Sequence, residues 1–103
     1  MYKISFYVPK DQVDDVKCAM FKAGGGKIGN YSCCAWQVLG EGQFLPLSGS
    51  HPTIGQPFHL EKVPEYKVEM VCAEECIDDV IRAFREAHPY EEPAYQVIKT
   101  EDY

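Results

Sequence analysis

Near the end of the sequence, His88 to Tyr95 reads HPYEEPAY. One short run thus holds an imidazole, two carboxylates and two phenols, the inventory of a metal or acid–base site. His and carboxylate side chains ligate divalent cations, but a metal needs three or four ligands. His88 and Glu91 would have to be joined by His51, by His59 or by groups from another chain. The same letters also describe a helix stop followed by a strand. There His88 sits at the carboxyl end of a helix, where a partly positive imidazole favours the dipole. Pro89 prevents continuation, and Pro93 fixes the start of a strand. The tyrosines then pack their rings and keep their hydroxyls wet. The helix stop explains the prolines but leaves Glu91 and Glu92 without a role. His88, Tyr90, Glu91, Glu92 and Tyr95 are therefore the candidate ligand-binding residues, and a divalent metal ion is the cofactor they would suit.

Other chemistry is harder to find. GGGKIG, Gly24 to Gly29, resembles a phosphate loop, but GxxxxGK[ST] is missing and the glycines follow a helix instead of opening one. Close backbone approach is the simpler reason for them. Five cysteines (Cys18, Cys33, Cys34, Cys72 and Cys76) are an odd number. No disulfide framework is expected, and adjacent Cys33 and Cys34 would point to opposite faces of a strand. No nucleophile–base–orienter spacing occurs, so no catalytic residue is assigned.

Charge narrows the partners. Sixteen acidic against ten basic residues give a net charge of −6, which disfavours nucleic acid and anionic membranes. Cations, small molecules and proteins remain. MYKISFYVPKDQ goes straight into an alternating pattern without a basic n-region and apolar stretch, so a soluble cytoplasmic protein is expected.

The elements that must position these residues come as a repeat. KISFYVPKDQVDDVKCAMFKAG from Lys3 and KVEMVCAEECIDDVIRAFREAH from Lys67 run in register without a gap. Each half opens with strand-like alternation (Ile4, Phe6, Val8) and shifts to helical spacing, as in Val13, Val16, Met20 and in Ile77, Val80, Phe84. Asp11 is placed to cap the first helix, and Gly24 suits its exit. A further strand follows each helix, at Tyr31–Leu39 and Ala94–Lys99. The order predicts an α+β ferredoxin-like sandwich over residues 1–103, a duplicated βαβ unit with both helices on one face of the sheet. Residues 40–65 form an insertion: a hairpin turn at Gly40–Gly42, a short strand at Gln43–Leu47, then a long loop. Loops of that length are usually functional or lie against a partner.

Bulk falls on both phases of the second strand, with Tyr31, Cys33 and Ala35 on one and Cys34, Trp36 and Val38 on the other. A sheet backed only by water should alternate more cleanly. Self-association over the back of the sheet is the expected remedy.

KAGGGKIGNYSCCAWQVLGEGQFLPLSGSHPTIGQPFHLEKVPEYKVEMV followed by AFREAHPYEEPAY resembles the domain inserted in NIF-three-like proteins of the YqfO type, also called GTP cyclohydrolase type-two homologues. The resemblance covers nearly the whole chain. It implies a fold like that of PII signalling proteins and CutA, which assemble as trimers with small-molecule clefts between subunits. It also implies that the metal ligands of full-length members lie in the domains flanking this one, so a hydrolase label is not expected to transfer to these residues. The expected function is a non-catalytic homo-oligomeric binding or regulatory module for a small ligand or protein. A metal-dependent hydrolase with a cation shared between subunits around His88 is one alternative, and a structural adaptor docking on a larger enzyme is another.

Overall fold

A computed structural model describes residues 1–103. Strand β1 (Tyr2–Pro9) leads through a single 3-10 turn into helix α1 (Val13–Lys22). Strand β2 (Trp36–Phe44) and strand β3 (Glu61–Cys72) follow, then helix α2 (Ile77–Ala87) and strand β4 (Tyr95–Lys99). The sheet runs β2-β3-β1-β4 with every neighbouring pair antiparallel. This is the ferredoxin-like sandwich expected from the repeat: β1 and β2 flank β3 as a split βαβ unit. Both helices cover one face, and Ile4, Phe6, Val8, Val16, Met20, Val68, Val80 and Phe84 are wholly buried between the layers. The repeat holds in three dimensions, since the matched Ile4 and Val68 both face that core. No helix is long and apolar enough to cross a membrane.

Several boundaries differ from expectation. β2 begins at Trp36 because the preceding chain is spent on a glycine-led crossing. Gly26 N–H donates to Val71 O and Gly26 O accepts from Cys34 N–H, each at 2.8 Å. Gly26 has φ +74°, and a Cβ there would lie 2.8 Å from both Cys34 O and the Phe21 ring. Close approach is thus what the glycines serve. Gly40 and Gly42 do not turn. They pair with Glu65 and Val63 inside one long β2–β3 ribbon, and residues 43–44 finish β2 while Leu45–Leu47 is irregular. The turn is instead the loop from Leu45 to Leu60, and Glu61–Glu65, expected in that loop, is strand. Pro64 is tolerated because β1 pairs only as far as Glu65, leaving the outer side of Pro64 without a ladder. Asp11 makes no capping hydrogen bond; Gln12 occupies the cap position of α1. Gly24 does provide the exit, with φ +114° and its N–H donating to Phe21 O.

The back of the sheet is less uniformly apolar than expected. Trp36, Val38 and Ile98 are exposed there by 59%, 46% and 56%. Between them Glu69 bridges Lys3 at 3.1 Å and Lys67 at 3.4 Å. Apolar flanks therefore border a charged centre, because the phase of β3 puts Lys67 and Glu69 on the back.

Candidate functional site

β4 is shorter than its neighbour and stops pairing with β1 at Phe6. The exposed edge of β1 just beyond would leave Tyr7 with two unpaired backbone groups. Residues of HPYEEPAY supply both partners. Tyr7 N–H donates to Ala94 O at 3.3 Å, and Tyr7 O lies 2.6 Å from His88 Nε2. Tyr90 N–H donates to His88 Nδ1 at 3.1 Å. Nδ1 is thus an acceptor and the proton sits on Nε2, donated to Tyr7 O. The ring is 5% exposed and wedged between Phe84 and Tyr90, with centroids 5.3 and 5.1 Å away. Burial holds its pKa below the ordinary 6.5, against the opposing effect of the Tyr7 carbonyl. His88 is a neutral pin that extends the sheet edge through its side chain.

The segment after that pin carries the loop. The Thr53 hydroxyl donates to Pro89 O at 2.6 Å, and His51 N–H donates to Glu91 Oε1 at 2.8 Å. Leu45–Leu60 is thereby held across the end of the sheet, and a cavity of about 520 Å³ lies beneath it. Its wall includes Tyr7, Phe44, Leu45, Leu47, Ser50 and Thr53, together with Glu65, Tyr90, Glu91 and Glu92. Volumes in this range suit a small ligand. Tyr90 packs against Phe44 in a tilted pair at 5.7 Å, and its hydroxyl oxygen is hidden from solvent against the Glu65 carboxylate. The Glu65 carboxylate folds over Gly42, where a Cβ would overlap it. Burial raises the pKa of Glu65, and burial followed by the nearby Glu65 charge raises that of Tyr90.

The structure divides the residues singled out in the sequence. Tyr90, Glu91 and Glu92 line the cavity, whereas His88 lies behind Tyr90 with both ring nitrogens engaged. Tyr95 is on the helix side of the sheet, packed on Phe84 and accepting a 2.6 Å hydrogen bond from Arg85. His51 contributes only its backbone, and His59 is exposed in the loop. Within one chain, no three His, Cys, Asp or Glu side chains gather closely enough to hold a metal ion. The five cysteines are unpaired. Glu65, Gly42 and Phe44 are contributors that sequence reasoning missed. The alternation Val63, Glu65, Lys67, Glu69 would have assigned Glu65 to the back of the sheet had β3 been started at Glu61.

No protein-family model matches the chain. The GTP cyclohydrolase 1 type 2 homolog of Mycobacterium tuberculosis is 46% identical over 92 residues, which is 89% of this chain and 24% of that protein. Its Bacillus subtilis counterpart is 42% identical over 99 residues, 96% of this chain and 26% of that protein. The solved Bacillus cereus protein related to NIF3 superposes with a TM-score of 0.83 at 36% identity, over 98% of this chain and 26% of that one. The chain is a relative of one segment of the NIF3-related proteins. It spans about a quarter of the length of the curated relatives it matches. CutA1 from Pyrococcus horikoshii (TM-score 0.69, 17% identity) covers the whole of this chain, matched by 86% of its own. Bacillus subtilis GlnK (0.58, 14%) covers 93% of this chain, matched by 81% of its own. At those identities the likeness is one of fold, and the fold is PII/CutA-like.

Proposed function

We propose that the chain is a non-catalytic, cytoplasmic binding or regulatory module that associates with copies of itself and takes a small ligand in the cavity beneath Leu45–Leu60. One observation carries this reading. The loop is hydrogen-bonded to Pro89 and Glu91, yet leaves a hollow lined by Glu65, Glu91, Glu92 and Tyr90, whose hydroxyl lies against the Glu65 carboxylate. Convergent polar groups in an apolar hollow are the usual composition of a ligand site. Tyr7, Phe44 and Glu65 share the back of the sheet with Trp36 and Val38, so packing of sheets in a trimer would bring the cavity near a subunit boundary.

The reading is tested by a thermal-shift screen of small metabolites of every charge class, run on the chain and on Tyr90→Phe. A ligand of the native state raises Tm by mass action. At least one compound is expected to raise the Tm of the parent and fail to do so for the variant; no such compound would remove the ligand site. Light scattering at micromolar concentration checks the assembly, and a monomer would remove it. A protein-docking adaptor is the second reading, favoured by loop residues outside the cavity, where Phe58 and Leu60 are each more than half exposed. Stoichiometric recovery of one larger protein with the chain would support it.

A further inference from the structure

Granted a ligand in this cavity, the lining decides its charge. Glu65, Glu91 and Glu92 face the hollow, and no Lys, Arg or His lines it. Nor are those three neutralised from outside, since the ion pairs of the chain involve Asp14, Glu69, Glu74, Asp79 and Asp102. The hydroxyls contribute in the same sense. Ser50 donates its proton to Leu47 O and Thr53 donates its own to Pro89 O, each at 2.6 Å. Both therefore offer the cavity only lone pairs. The Tyr90 hydroxyl points its proton at the Glu65 carboxylate and so also offers the cavity lone pairs. Acceptors outnumber donors on this wall: against three carboxylates and the hydroxyl lone pairs, only the Gln43 amide and the Tyr7 hydroxyl can donate from side chains.

We propose that the cavity selects a small organic cation. Its ammonium or guanidinium group pairs with one or two of the Glu65, Glu91 and Glu92 carboxylates, which line the hollow without gathering into a three-ligand cluster, and its hydrocarbon part lies on Phe44, Leu45 and Leu47. Such a group brings three to five N–H donors and no acceptor, which is the complement of this wall. Burial disfavours the ionised form of Glu65 in the empty cavity, and an adjacent cation reverses that disadvantage. Nucleotides and dicarboxylates meet three like charges. A bare metal ion finds no cluster of three close ligands, whereas an alkyl or aryl amine also buries apolar surface.

Titration calorimetry on the full chain in about 150 mM salt, chosen because that ionic strength screens loose surface attraction, decides the matter. Benzylamine, agmatine and spermidine are set against benzoate, adipate and benzyl alcohol. At least one of the cations is expected to bind saturably with one site per chain. Glu65→Gln and the pair Glu91→Gln with Glu92→Gln should each weaken it about tenfold, the change expected when one charge-assisted hydrogen bond is lost. Asp78→Asn with Asp79→Asn removes as much charge from α2, away from the cavity, and should leave binding intact. Equal affinity for benzoate, adipate or benzyl alcohol would overturn the proposal, as would failure of all three cations at millimolar concentration. So would equal weakening by the α2 pair, which would signal a diffuse ion atmosphere. An anion or neutral compound whose binding is lost in Tyr90→Phe overturns the charge assignment alone and leaves the ligand site standing.

Discussion

Replacing His88 separates pinning of the sheet edge from simple filling of space. In His88→Ala, Tyr7 O and Tyr90 N–H lose their partners, and two such hydrogen bonds contribute about 1–3 kcal/mol. The ring also leaves its place between Phe84 and Tyr90, and a lost aromatic contact adds about 1 kcal/mol. The total of about 2–4 kcal/mol corresponds to a Tm lowered by roughly 10–20 °C in a domain of this size. His88→Phe keeps a ring of similar area but leaves both backbone groups unsatisfied, so it should destabilise at least as much. The pH dependence has a definite sign. The folded-state pKa of His88 is depressed, so the native state binds fewer protons than the unfolded chain. The stabilisation is complete above the unfolded value of about 6.5 and is lost as pH falls from there through the folded value. Calorimetric melts between pH 7.5 and 5 should show the parent losing Tm, and His88→Phe losing less. A His88→Phe variant as stable as the parent, with the same slope against pH, would refute the pinning role.

Glu65 titrates in the opposite sense. Its raised pKa means the folded state holds the proton more tightly, so stability is fullest below about 4.5 and falls as pH rises through the folded value. Glu65→Gln should therefore have the higher Tm at pH 7, by an amount that shrinks on acidification; an unchanged or lower Tm at pH 7 contradicts this. Gly42→Ala should fold but displace the Glu65 carboxylate, weakening a cavity ligand about tenfold with a Tm change of only a few degrees; unaltered binding would count against the carboxylate's role. Gly26→Ala, at φ +74° and against Cys34 O and the Phe21 ring, should cost about 2 kcal/mol or more, read as a loss of denaturant midpoint. Exposed Cys18 and Cys33 should be alkylated rapidly at pH 8, whereas Cys72, buried and with its pKa pushed up to about 11, should react only on unfolding. Early modification of Cys72 by mass spectrometry would show that β3 opens locally.

Much of the fold was legible because the two halves repeat the same switch from two-residue to helical spacing. Ile4, Phe6 and Val8 in one, and Val68 and Met70 in the other, define a single core face. Glycines misled at two places. Gly40 and Gly42 looked like a turn, yet they lie in a ribbon where the missing Cβ at Gly42 makes room for a carboxylate from the opposite strand. Local sequence cannot reveal that, because the demand comes from Glu65, more than twenty residues away. HPYEEPAY was legible as a cluster but not as a division of labour. The pinning role of His88 depends on β4 ending one residue short of Tyr7, a tertiary fact. Tyr95 left the site because strand alternation carries it to the helix side, beside Arg85.

Labelling backbone amides with 15N and adding the strongest compound from the metabolite screen tests the central claim most directly. Resonances of Gly42, Phe44, Glu65 and Tyr90 through Glu92 should shift together and saturate at one equivalent per chain, while those of α2 between Asp78 and Arg82 stay fixed. Shifts scattered over the surface, or confined to the helices with the cavity residues unmoved, would contradict it.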